Sequence, residues 1–167
     1  NLHITCHYTA EEHLASAKDS EGNGDYTAAY KFVGAALNLA DTPDNWLDYA
    51  RLLLLAAAND QTNAASLRDS AVRAAINAYL RADTKGLQHS ILVQMGQALE
   101  SVDRGRDTVQ AYRLAQDLQP RDDTAALLAD AAGKYGFRIT ANEVQTDSPR
   151  PRICVTFSDD LVASGVD

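Results

Sequence analysis

Between Leu92 and Pro120 the residues Leu92, Met95, Gly96, Leu99, Thr108, Tyr112, Ala115 and Pro120 fall at the spacings of two helices joined by a short turn. Steps of three and four residues place Leu92, Met95, Gly96 and Leu99 on one face of the first helix, and Thr108, Tyr112 and Ala115 on one face of the second. Gly96 carries no side chain, so a neighbouring first helix can approach its backbone. Pro120 cannot continue a helix and ends the second one. A unit built this way stacks helices and presents a surface.

The unit is copied. Trp46, Tyr49, Ala50 and Leu53 repeat the spacing of Leu92, Met95, Gly96 and Leu99, and the helix that follows carries Ala71, Ala75 and Ala78 on a matching face. Between them Asn59 to Leu67 reads as an inserted loop, because Asn, Asp, Gln, Thr and Ser favour local bonds to the backbone over helix. A third copy lies upstream: Gly24-Asp25-Tyr26 makes the turn, and Ala29, Val33 and Ala36 line the second helix. Its first helix, residues 9 to 21, departs from the pattern, with His13, Ser16, Ala17 and Ser20 in the repeated positions. Over residues 9 to 122 the chain resembles tetratricopeptide repeats, for which about three units make a self-supporting stack.

Composition suits such a stack. Of 167 residues 46% are hydrophobic and only 7% aromatic, so the core is one of closely packed, alanine-rich helices. The formal net charge of -8 sets the chain against nucleic acid and anionic membrane surfaces. The longest apolar run, Leu52 to Ala58, falls well short of the roughly 20 residues of a membrane span. The chain begins with Asn1, which we read as a processed or excised sequence. Two cysteines exclude a disulfide framework. Cys154 reads as a small core residue, and Cys6 as free or paired with a cysteine upstream.

After the repeats, Asp123 or Thr124 can cap a helix whose face is Ala125, Leu128, Ala129, Ala132 and Tyr135, with Gly133 or Gly136 ending it. The period then changes from helical to alternating. Phe137, Ile139 and Ala141 alternate with Arg138, Thr140 and Asn142, and Ile153, Val155 and Phe157 with Cys154, Thr156 and Ser158, as half-buried strands require. The stretch YGFRITANEVQTDSPRPRICVTFSDDL, following a helical region, resembles the N-terminal part of bacterial alpha-2-macroglobulin-like proteins. That resemblance implies a periplasmic or secreted protease inhibitor, with this chain as an accessory region ahead of a β-sandwich. It carries no trapping residue: neither Cys6 nor Cys154 stands in the Cys-x-Glu-Gln context of a thioester.

Other chemistry is thin. His3, Cys6 and His7 have the spacing of metal ligands on a helix but lack a helix start, and no metal or cofactor is expected. His89 reads as an exposed first-turn residue. The adjacent pairs Glu11-Glu12, Asp122-Asp123 and Asp159-Asp160 point apart and read as caps and turns. No nucleophile, base and orienting group assemble, so no catalytic residue is assigned.

The expected fold is mainly α, an antiparallel helix-pair stack over residues 9 to 135, with a lead-in at 1 to 8 and the first strands of a truncated β-sandwich at 136 to 167. A binding surface would lie on the concave face, with Leu47, Arg51, Leu54, Val93, Gln97 and Glu100 as its candidates. Lys18 and Arg51 are the only basic residues there, among Asp48, Gln94 and Glu100, which disfavours a clamp for a peptide carboxylate. The expected partners are downstream domains of the same polypeptide or another protein. The alternative is a free-standing adaptor in a secretion or envelope complex.

Overall fold

The computed structural model describes residues 8–145 and 152–158. His3, Cys6, His7 and the Asp159-Asp160 pair lie outside the described residues, and with them the metal-ligand spacing. Among the described residues seven helices precede a pair of strands: α1 (Ala10–Gly22), α2 (Tyr26–Leu37), α3 (Pro43–Asn59), α4 (Ala64–Arg81), α5 (Lys85–Ser101), α6 (Gly105–Leu118), α7 (Asp122–Tyr135), β1 (Ile139–Gln145) and β2 (Arg152–Phe157). Among these helices none is long and apolar enough to cross a membrane.

Side chains set the helix starts. Thr9 accepts from the Glu12 amide while Glu12 reaches back to the Thr9 amide, closing a capping box on α1. Asp25, Thr42 and Thr84 cap α2, α3 and α5, and Pro43 takes the first turn of α3, where its missing N–H costs nothing. Gly24, with φ of 76°, makes the left-handed turn between α1 and α2.

Each helix packs on the next, and α3 also meets α5. The repeated small residues lie in the core: Ala17, Ala50 and Gly96 on the first helix of each pair, and Ala29, Val33 and Ala36, then Ala71, Ala75 and Ala78, then Thr108, Tyr112 and Ala115 on the second. Alanine columns let the helix axes approach closely, and the larger Leu52, Leu53, Ile91 and Leu92 fill between them, each worth roughly 1.5–3 kcal/mol when fully buried.

Several expectations need correction. The loop expected from Asn59 to Leu67 shrinks to residues 60–63, because Asp60 gathers the turn by itself: its Oδ1 accepts from the amides of Thr62 and Asn63, and its Oδ2 from Asn63 Nδ2. Ala64 and Leu67 are buried parts of α4. Helix α7 starts at Asp122, with Arg121 before it and no side-chain cap, so Asp123 and Thr124 stand inside its first turn. Its packed side is Thr124, Leu127, Leu128, Ala131 and Tyr135, one residue round from the expected face; Ala125, Ala129 and Ala132 are exposed. Gly96 faces no neighbouring first helix; the ring of Tyr112 on α6 occupies its approach.

The strands pair antiparallel with a register shift between Ile139 and Ala141. Opposed residues share a face, so the shift places Ile139, Val144, Ile153, Val155 and Phe157 together and Glu143, Cys154 and Arg152 on the other side. The apolar face is not half-buried as expected: Ile153 is 72% exposed. Cys154 is exposed and is no core residue.

Candidate protein-binding groove

A groove of about 690 Å³ crosses the first helices of the three pairs. Leu14, Lys18 and Glu21 come from α1, Asp44, Leu47, Asp48 and Arg51 from α3, and Ser90 and Gln94 from α5; buried Ala17, Asn45 and Leu52 floor it. The geometry follows from the helical period, since residues three and four apart share a stripe and each first helix turns one stripe to the same side.

Arg51 organises the middle. Its Nη2 donates to Glu21 Oε2 at 2.8 Å and to Asp48 Oδ1 at 2.6 Å, its Nε to the same Asp48 oxygen at 3.0 Å, and its Nη1 to Glu21 Oε1. The pair ties α1 to α3. The guanidinium beside Glu21 holds that carboxyl below its ordinary range, chiefly through the hydrogen bond, against the opposing effect of burial and with a lesser help from charge. Asn45 donates from Nδ2 to the Ala40 carbonyl at 2.9 Å and so pins the preceding turn. Gln94 Nε2 is buried and has no acceptor among the described residues.

The sequence matches no protein-family model and no curated protein. Among solved structures, the TPR domain of Arabidopsis OM64 is similar at 18% identity and a TM-score of 0.62, over 75% of this chain and 95% of that one. The chain has the tetratricopeptide-repeat fold. The Sgt2 TPR domain of Aspergillus fumigatus is similar at 15% identity and a TM-score of 0.62, over 75% of this chain and 78% of that one. The TPR2AB domain of yeast Sti1, in a complex with pHSP90, is similar at 14% identity and a TM-score of 0.61, over 75% of this chain and 46% of that one.

In this tetratricopeptide stack α1–α2, α3–α4 and α5–α6 are the repeats and α7 covers the last of them. Of the residues expected on the concave face, Leu47 and Arg51 line the groove. Leu54 packs against the α3–α4 core. Val93 packs against Val109, Tyr112 and Ala131 under α7, Gln97 is exposed, and Glu100 accepts from the Tyr135 hydroxyl of α7 at 3.0 Å. The structure therefore brings Leu47 and Arg51 together with Ser90 and Gln94, not with Val93 and Glu100. Ser90, Asp44, Glu21 and Leu14 were missed; a stripe drawn through Gln94 in steps of four would have found Ser90.

His89 is the clearest reversal. It is 2% exposed, not a surface residue, and its Nε2 lies 3.0 Å from the Thr124 hydroxyl on α7. Thr124 Oγ1 donates to Asp123 Oδ1 at 3.2 Å, so it accepts from a protonated His89 Nε2, which leaves Nδ1 buried as a bare acceptor. Burial lowers the His89 pKa, Arg121 lowers it further, and Asp123 opposes both. Among the described residues no group of three or more His, Cys, Asp or Glu could hold a metal ion.

Proposed function

We propose that this chain is a non-catalytic interaction scaffold that holds a segment of a partner protein across α1, α3 and α5. The observation that carries the reading is one groove reaching all three repeats, with apolar Leu14 and Leu47 beside Lys18, Glu21, Asp44, Asp48 and Arg51. An apolar floor supplies affinity, and fixed charges at the rim supply register and selectivity. The pHSP90 complex of the Sti1 domain supports a partner-holding role for a stack of this shape.

The test is selection of peptides from a random library on the full chain, followed by two variants. Leu47→Arg, in the groove, should abolish capture, whereas Leu80→Arg, exposed on α4, should leave it intact. Peptides indifferent to Leu47→Arg would place the binding surface elsewhere.

A finer reading sets the scaffold at the N-terminus of a bacterial alpha-2-macroglobulin-like protease inhibitor, in the periplasm or outside the cell. The uncovered apolar face of the hairpin favours it, because a β-domain stacked there would bury Ile139, Val144, Ile153 and Val155. A parent reading frame with a downstream Cys-x-Glu-Gln thioester would support this placement. A short frame without one would favour an adaptor of the secretion or envelope machinery instead.

A further inference from the structure

The charges of the groove narrow the partner, an inference that rests on reading that groove as the binding surface. Three carboxylates, Glu21, Asp44 and Asp48, line it against two cations, Lys18 and Arg51. The guanidinium of Arg51 is already shared between Glu21 and Asp48. Asp44 stands one helical turn before Asp48 on the same helix, and among the described residues it has no ion pair or hydrogen-bond partner. Among the described residues only Lys18 of these two cations is without an ion pair, so a partner's terminal carboxylate would meet that one lysine, or displace a carboxylate from Arg51, while facing all three carboxylates. A partner's cation would meet Asp44 and Asp48 together, on a chain whose net charge is -8.

Helices in contact stand roughly 8–10 Å apart, so a chain laid from α1 over α3 to α5 crosses on the order of 20 Å, about six residues when extended.

We propose that the α1–α3–α5 groove takes an internal, extended segment of another protein, about six residues long, whose apolar side chains rest on Leu14 and Leu47 while a Lys or Arg sits between Asp44 and Asp48. It is not a receptor for an acidic chain end.

The experiment uses the full chain and a random peptide library displayed on phage in two formats, one within a loop and one with a free C-terminus. The looped format should yield binders enriched in Lys and Arg among apolar residues. Their affinity should fall about tenfold in the double variant Asp44→Asn, Asp48→Asn. Asp44 also favours the first turn of α3, so thermal melting is measured alongside, and Glu21→Gln, which leaves that turn untouched, should weaken the same peptides. Binders rich in Asp and Glu, or dependent on a free C-terminal carboxylate while still lost in Leu47→Arg, would overturn the proposal and leave the groove reading standing. A library that yields no binder sensitive to Leu47→Arg would overturn both.

Discussion

The ring of Tyr112 lies where a side chain at residue 96 would be: a Cβ on Gly96 would stand 2.3 Å from Tyr112 Cε1 and 2.7 Å from Cδ1. Tyr112 is itself buried, and its hydroxyl, without a hydrogen-bond partner among the described residues, is held in its neutral form by burial, its pKa pushed up to about 12. The ring therefore has nowhere to go. Gly96→Ala should cost roughly 1–3 kcal/mol by overpacking, seen as a lowered melting temperature. Gly133→Ala on α7 meets nothing within 4 Å and should instead add about 0.5–1 kcal/mol through helix propensity. Replacing Tyr112 by Leu in the Gly96→Ala background should recover part of the loss, as coupled neighbours do in a double-mutant cycle.

Ala64 opens α4 and is buried in the cluster that holds Leu53, Leu67, Ala71 and Leu99. Ala64→Leu should therefore cost about 1–3 kcal/mol in urea unfolding. Thr62→Ala, two residues earlier and exposed, removes no bond of its side chain and should stay within roughly 0.5 kcal/mol. Equal effects of the two changes would restore the long loop that the polar residues suggest.

The burial of His89 makes stability depend on pH with a definite sign. Its folded-state pKa lies below the unfolded value of about 6.5, so just under that pH the unfolded chain binds a proton that the folded chain refuses. Stability is full above about pH 6.5, falls as the pH drops from there toward the folded pKa, and levels off below it with respect to this group. His89→Gln keeps a donor for Thr124 but does not titrate. Its unfolding midpoint should lack the inflection near pH 6.5 that the parent chain shows.

The small-residue columns were legible because steps of three and four residues determine which side chains share a face, whatever the neighbours are. Ala17 stood in its column even though His13, Ser16 and Ser20 broke the pattern around it. The rotation of α5 was not legible. Moving from Ser90 and Gln94 to Val93 and Glu100 turns the helix by about 100°, and only the seat of α7 on Val93 and Glu100 decides between the two. Helix α7 misled for a related reason: alanines lie all round it, so apolar periodicity is weak, and the residue that marks its buried side is a threonine paired to a histidine. Of the α1 wall only Lys18 was foreseen, because that helix has a low contrast between its faces, with Ala17 its only buried residue.

The hairpin is joined to the stack through few contacts. Its strands pack on each other, among the described residues no helix packs extensively on either, and Phe137 stacks on Phe157 with ring centroids 5.0 Å apart, one end of the same apolar face. Arg138 ties it down by donating to the carbonyls of Gly133 and Lys134 at the end of α7. Two strands alone are marginal in water, so this element should open independently of the helices. Amides of Ile139–Gln145 should exchange with deuterium far faster than those of α3 and α4. Ile153→Thr, which removes an apolar group already 72% exposed, should leave helical melting unchanged within about 0.5 kcal/mol. If the substitution lowers helical melting, or if strand amides are protected as strongly as those of α4, then hairpin and stack unfold as one unit. A β-domain boundary near Gly136 would then have no energetic basis.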